Sequence, residues 1–301
     1  MLNTPILFLI FNRPETERLV FEKIREIKPK KLYIAADGPR NGRKDDIEKC
    51  RLAREIVEKG VDWECEVHKL FRDKNLGCKM GVSGAIDWFF ENVDEGIILE
   101  DDCLPDFSFF EYCRVLLKKY KNDERVGLIT GGNFYKGNVF GLTSYSFSKY
   151  PTVWGWASWK RVWKNYDVDI KNFSENNENR WLKNIFKSKV SFKNWSNVFQ
   201  MVHDNKIDTW DYQLTYSCWK NDFLTIFPKV NLVKNIGFGQ HSTHTSKIVK
   251  QTYGNIDFPL NGPSIIEVEK RYDDYVENYY YLGKTSWFRD VIISIKNIFY
   301  V

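Results

Sequence analysis

Ile97-Ile98-Leu99-Glu100-Asp101-Asp102 carries an apolar run straight into three consecutive carboxylates, and Cys103-Leu104-Pro105-Asp106 follows. A short Ile and Leu run without a polar break reads as a strand covered on both faces, the kind found in parallel sheets between helices. Three adjacent acids at its carboxyl end raise one another's pKa and repel an anionic ligand unless positive charge sits among them. A hard divalent cation bridging to a diphosphate meets that need with oxygen ligands alone. Open α/β sheets bind ligands just outside the carboxyl ends of their strands, so position and chemistry agree. The plainer reading is a solvated acidic turn in which Asp106 caps the next helix.

Moving outward from that strand, short apolar runs alternate with amphipathic stretches through the first 130 or so residues. Ile6 to Phe11 is predicted as a strand. Glu15 to Ile27 follows as a helix with Leu19, Val20, Ile24 and Ile27 on its core face and Thr16, Glu17 and Arg18 facing out. Further strands are predicted at Leu32–Ala36, Cys65–Phe71, Ile97–Leu99 and Val126–Thr130, and further helices at Asp45–Lys59, at Ser83–Phe90 and after Pro105-Asp106. This alternation predicts an α/β fold, a Rossmann-like, mostly parallel central sheet flanked by helices. Beyond residue 140 the texture becomes rich in Trp and Asn, with no linker and no repeat. Residues 1–135 are therefore read as a nucleotide-binding half, residues 136–282 as a substrate-facing half of the same unit, and residues 283–301 as a terminal amphipathic helix.

Composition narrows the function classes. The 301 residues are 43% hydrophobic and 28% charged, which excludes a disordered chain. The net charge of +5 suits a phosphate-bearing ligand but is too weak for duplex DNA, so no nucleic-acid partner is expected. Aromatics make up 16% of the chain, more than a core alone requires, and such rings also line carbohydrate and membrane-facing surfaces. The six cysteines show no zinc-ligand spacing and read as reduced intracellular thiols. The apolar start lacks the basic region and cleavage site of a signal peptide, and no window reaches the roughly 20 apolar residues of a membrane span. A cytoplasmic location is expected, with at most peripheral contact on the inner membrane through Trp287, Phe288, Val291, Ile292, Ile295, Ile298 and Phe299.

Other chemistry-bearing residues follow the predicted strands: Phe11 and Arg13 the first, Asp37 the second, Arg72, Asn75 and Lys79 the third. An aromatic for a base, an Asp for a base edge or ribose, and cations for phosphates make a nucleotide site when they share one sheet edge with Glu100 to Asp102.

With these residues in view, the sequence resembles GT-A-type nucleotide-sugar glycosyltransferases, specifically the N-acetylglucosaminyltransferase I group and bacterial relatives in surface-polysaccharide synthesis. The resemblance is carried by Pro5-Ile6-Leu7 through Asn12-Arg13-Pro14, Ala36-Asp37-Gly38, Asn75-Leu76-Gly77, and Leu99 to Phe107 leading to Phe110-Glu111-Tyr112. It implies that the triplet is a variant D-x-D motif, with Asp102 binding Mn²⁺ (or Mg²⁺) and Asp101 and Glu100 touching the donor. The same resemblance makes residues 1–135 the nucleotide-sugar-binding half and residues 136–282 the acceptor-binding and catalytic half. It continues more loosely over Pro151 to Ala157, where Trp154, Gly155 and Trp156 would face the acceptor, and over Thr209 to Gln213, where Trp210 flanks Asp211. Asp211 is expected as the base, the alternatives being Asp208, Asp204, or a merely capping Asp211. Trp159 and Trp163, four apart, read as helix residues facing the core. In the stretch from Gly237 to His244, His244 is a candidate metal or diphosphate ligand.

The expected activity is metal-dependent inverting transfer from a nucleotide diphosphate sugar, UDP-linked by this reading, to a glycan or lipid-linked glycan. Its rivals are a sugar nucleotidyltransferase, which usually carries a Gly-rich phosphate loop absent after Phe11, and a non-catalytic carbohydrate-binding homologue.

Overall fold

The computed structural model describes residues 1–135, 140–171, 173, 181–237 and 253–278. Four strands, β1 (Ile6–Ile10), β2 (Lys31–Ala36), β3 (Glu66–Phe71) and β4 (Glu95–Glu100), lie parallel in the order β3-β2-β1-β4. They are connected by α1 (Pro14–Ile27), α2 (Lys44–Gly60) and α3 (Gly77–Asn92). Every residue of β1 is buried, as its unbroken apolar run requires of a strand covered on both faces.

The chain continues through β5 (Cys103–Pro105), α4 (Phe107–Tyr120), β6 (Val126–Thr130), β7 (Tyr145–Ser148) and β8 (Trp156–Trp159). Then come α5 (Lys160–Trp163), α6 (Leu182–Ile185), α7 (Lys189–His203), α8 (Asp211–Lys220), β9 (Leu224–Pro228), β10 (Val233–Asn235) and α9 (Lys270–Val276). Strand β8 returns from the second half of the chain to lie antiparallel between β4 and β6; β9 extends β6 in parallel and β7 closes the edge antiparallel. Six of the eight strands thus share one direction. The chain is a mixed α/β fold with a large, mostly parallel central sheet flanked by helices, and both halves contribute strands to that sheet.

Three local expectations are corrected. The Trp154–Trp156 region, expected as a loop, sends Trp156–Trp159 into the middle of the sheet, because β4 and β6 need a partner between them. Helix α3 starts at Gly77, six residues before Ser83: the Asp208 carboxylate accepts from the backbone N–H groups of Cys78 and Lys79, at 3.0 and 2.8 Å, and supplies a cap from 130 residues away. On α1, Leu19 is 52% exposed, whereas Glu17 is fully buried, so the core face is rotated toward Glu17. The expected faces of Val20 and Ile24 are correct.

The aromatic excess fills two cores. One surrounds the sheet and includes Trp156, Trp159, Trp163 and Trp210. The second is built on α7, α8 and α9, where Trp195 and Trp219 meet edge to face at 4.7 Å and Phe227 stacks on Tyr272 at 3.7 Å. Trp159 and Trp163 are core residues, as their spacing implies, although Trp159 ends a strand. None of the six cysteines is in a disulfide. Among the described residues no helix is long and apolar enough to cross a membrane. The expected terminal helix, 283–301, lies outside the described residues.

Candidate functional site at the carboxyl edge of the sheet

Glu100 is the last residue of β4, and Asp101 and Asp102 form the turn beyond it. The turn is held in place because β5 leaves it to pair antiparallel with β10, matching Cys103 to Asn235. The Asp102 carbonyl accepts from the Ile236 N–H at 2.8 Å, and a Cβ at Gly237 would collide with the Asp102 carboxylate, so only glycine lets the chain pass there. From the neighbouring strand, the Phe11 N–H donates to Asp101 Oδ2 at 3.2 Å. Arg13 places Nη1 2.6 Å from Asp102 Oδ2 and 3.3 Å from Asp101 Oδ1. Burial pushes the Asp101 carboxyl up to about 7, with Arg13 pulling it down and Asp102 pushing it up. Burial also raises Glu100 well above the usual carboxylate range, aided by the charges of Asp102, Asp101 and Asp211 and opposed by Arg13. Asp101 and Asp102 therefore converge on one positive point, and the triplet is not a solvated turn. Asp106 does cap α4, accepting from the Ser108 N–H at 2.9 Å.

The strand ends beside the triplet are tied to one another by polar contacts, most of them partly buried. Buried Asp46 on α2 accepts from Asn12 Nδ2 at 2.7 Å and from Arg40 Nε at 2.6 Å, and Arg40 lies over the Phe11 ring at 5.5 Å. Asp37 accepts from the Leu76 N–H at 2.9 Å and from Asn75 Nδ2 at 3.0 Å, so it organises the 72–77 loop. Gly38 admits that loop, since a Cβ there would stand 2.5 Å from the Lys74 backbone.

Two expected phosphate ligands are not brought to the triplet. Arg72 donates to the Gly81 carbonyl at 2.8 Å, beside α3. The buried Lys79 ammonium is held by Asp169 at 2.9 Å and Asn205 at 2.7 Å, the partners a nearly dry ammonium requires.

Asp211 opens α8, with Trp210 as the N-cap residue and Thr209 donating to the Asp211 carboxylate. Its charge acts on Glu100, so the structure brings it to the acidic cluster. Trp156 and Trp210, expected to face the acceptor, are instead buried and stacked on each other, because Trp156 lies in the sheet with its register partner at Ile98. Trp154 remains half-buried, edge to face with Phe134 at 5.2 Å. Gly155 has φ +63° and would clash with Val233 if it carried a Cβ, at 2.7 Å. Of the rival bases, Asp208 is the cap of α3 and Asp204 is paired with Lys206 and Gln200 at the surface. His244 lies outside the described residues.

Sequence reading missed the organising pair Arg40 and Asp46 and the distant cap made by Asp208. The turn signal Asp37-Gly38-Pro39 placed the first near a strand end, but nothing local joins Asp208 to Gly77.

Among the described residues no three His, Cys, Asp or Glu side chains form a closed metal cage. Two carboxylates converging on one cationic nitrogen are nevertheless the donor chemistry of sites that bind Mg²⁺ or Mn²⁺ through one or two carboxylates and take the remaining oxygens from phosphates.

No protein-family model and no curated protein matches the chain. Among solved structures, residues 1–349 of TarS from S. aureus align with a TM-score of 0.43 and 7% identity over 77% of this chain and 59% of that one. Apo UDP-glucose pyrophosphorylase aligns at 0.37 and 9% identity, over 76% and 90% of the two chains. A cytidylyltransferase from Leptospira borgpetersenii aligns at 0.35 and 12% identity, over 99% and 95%. The chain spans under two thirds of the TarS chain, and likenesses this distant carry no argument about chemistry.

Proposed function

We propose that this chain is a divalent-metal-dependent, inverting GT-A-type glycosyltransferase. In this reading it moves a sugar from a nucleotide diphosphate sugar, UDP-linked, to a hydroxyl of a glycan or lipid-linked glycan in surface-polysaccharide synthesis. The observation supporting it is the placement of Glu100, Asp101 and Asp102 at the carboxyl end of a central strand with Asp211 in electrostatic reach of Glu100.

Asp102, with Asp101 beside it, would hold the ion. Once bound, that ion neutralises charge on the departing diphosphate. Phe11, under Arg40, offers a face for the nucleobase, and Arg13 stands where phosphate oxygens would reach it. Asp211 accepts the proton of the acceptor hydroxyl as that oxygen bonds to the anomeric carbon and the bond to the diphosphate breaks on the opposite face. Asp211 is half-buried, and its charge reaches Glu100.

The test is release of UDP from UDP-sugars, with and without Mn²⁺. Asp102→Asn should remove the metal stimulation. Asp211→Asn should abolish transfer while UDP-sugar still binds. Near-normal turnover in Asp211→Asn places the base elsewhere, and formation of UTP and sugar 1-phosphate from UDP-sugar and added pyrophosphate, without release of UDP, overturns the reading in favour of a nucleotidyltransferase.

A further inference from the structure

We infer that Arg13 is a built-in counter-cation that holds the acidic pair in the metal-free chain and is exchanged for the divalent ion when the donor binds. The inference rests on the metal-dependent reading of the site.

Three observations carry it. First, the contacts from Arg13 to Asp102 Oδ2 and Asp101 Oδ1, at 2.6 and 3.3 Å, both run through the one nitrogen Nη1. A divalent ion binding the same oxygens sits about 2.0–2.6 Å from them. An ion held by both oxygens would lie too close to that nitrogen, at 2.6 and 3.3 Å from them, for the two positive centres to coexist. Second, the Arg13 side chain is 30% exposed whereas those of Asp101 and Asp102 are 9% and 15% exposed, so the arginine is the most solvent-accessible member of the cluster. Third, the backbone of Arg13 is fixed independently of its side chain. Arg13 is the N-cap residue of α1, Pro14 follows it, and its carbonyl accepts from the Glu17 N–H at 3.0 Å and Thr16 Oγ1 at 3.3 Å. The side chain can therefore change partners while its anchor stays put. Released, the guanidinium remains at the same sheet edge, where the diphosphate of the donor would receive it. The exchange keeps positive charge on the acids in the resting chain and delivers it to the phosphates on binding.

The experiment measures Mn²⁺ binding by electron paramagnetic resonance on the full chain at pH 8, then UDP binding by calorimetry at saturating Mn²⁺. Removing the competing charge in Arg13→Gln should tighten binding of Mn²⁺ alone about tenfold and weaken UDP about tenfold, while Arg13→Lys stays near wild type in both. Arg13→Met gives the same reading if the Gln variant fails to fold. Unchanged or weaker Mn²⁺ binding in the neutral variants overturns the exchange while leaving the metal site standing. Mn²⁺ binding that is unaltered by Asp102→Asn overturns both the exchange and the metal site.

Discussion

Trp210 stacks on Trp156 with ring centroids 5.9 Å apart and planes 22° from parallel. Trp156 pairs with Ile98, two residues before Glu100, and Trp210 immediately precedes Asp211. The stack is thus the mechanical link that sets the proposed base against the acidic triplet. Replacing Trp210 with Ala should cost about 3–5 kcal/mol by urea unfolding, as expected for emptying a buried aromatic site. Trp210→Phe keeps part of the stack, so its fold should survive while kcat falls more than the KM for donor rises. A KM-dominated loss would show that Trp210 serves binding rather than placement.

Asp208 joins the same segment to α3 through the N–H groups of Cys78 and Lys79. Asp208→Ala leaves these donors to water and should destabilise the chain by about 1 kcal/mol, the usual size of a lost cap. Asp208→Asn retains an acceptor and should recover part of it. Hydrogen exchange of the Cys78 and Lys79 amides gives a local readout; unchanged protection in Asp208→Ala would refute the cap.

Glu17 is fully buried, both its carboxyl oxygens lack hydrogen-bond partners, and burial with the nearby Asp101 charge pushes its carboxyl up to about 9. The unfolded chain releases that proton near the ordinary value of 4.5, so folding takes up a proton between the two. This contribution is fully present below pH 4.5 and is lost as pH rises toward 9. In metal-free buffer, wild-type Tm should fall from pH 6 to pH 9, and Glu17→Gln should flatten that slope. An identical slope in the variant would assign the dependence to another group.

Asp46 shows the opposite sign. Its hydrogen bonds from Arg40, then from Asn12, hold its carboxyl down at about 2 despite burial. The stabilisation is present above the unfolded value of 3.8 and disappears as pH falls through 2. Asp46→Asn should therefore cost about 2 kcal/mol at pH 7, and its deficit relative to wild type should shrink when urea unfolding is repeated at pH 3. A deficit independent of pH would mean that Asn fails for reasons of shape rather than charge.

Much of the first half of the chain was legible in the sequence because its determinants are local. A short continuous apolar run reads as a covered strand, as in Ile6–Ile10 and Ile97–Leu99, and a carboxylate cluster at the end of such a strand is placed at the carboxyl edge of the sheet. The core positions Val20 and Ile24 of α1 and the Asp106 cap of α4 belong to the same class. What the tertiary structure alone decided depends on partners far away in the chain. Four Trp residues within ten positions have no intrinsic inside or outside; the vacancy between β4 and β6 turned Trp156 and Trp159 into a central strand and moved Trp156 from acceptor surface to core. Lys79 was claimed by Asp169 and Asn205, the first turn of α3 by Asp208, and the acidic pair by Arg13, and each pairing spans about 90 residues or more. Local sequence encodes strand, helix and cap, because those interactions close within a few residues; which charge meets which is settled only when the sheet brings its edges together.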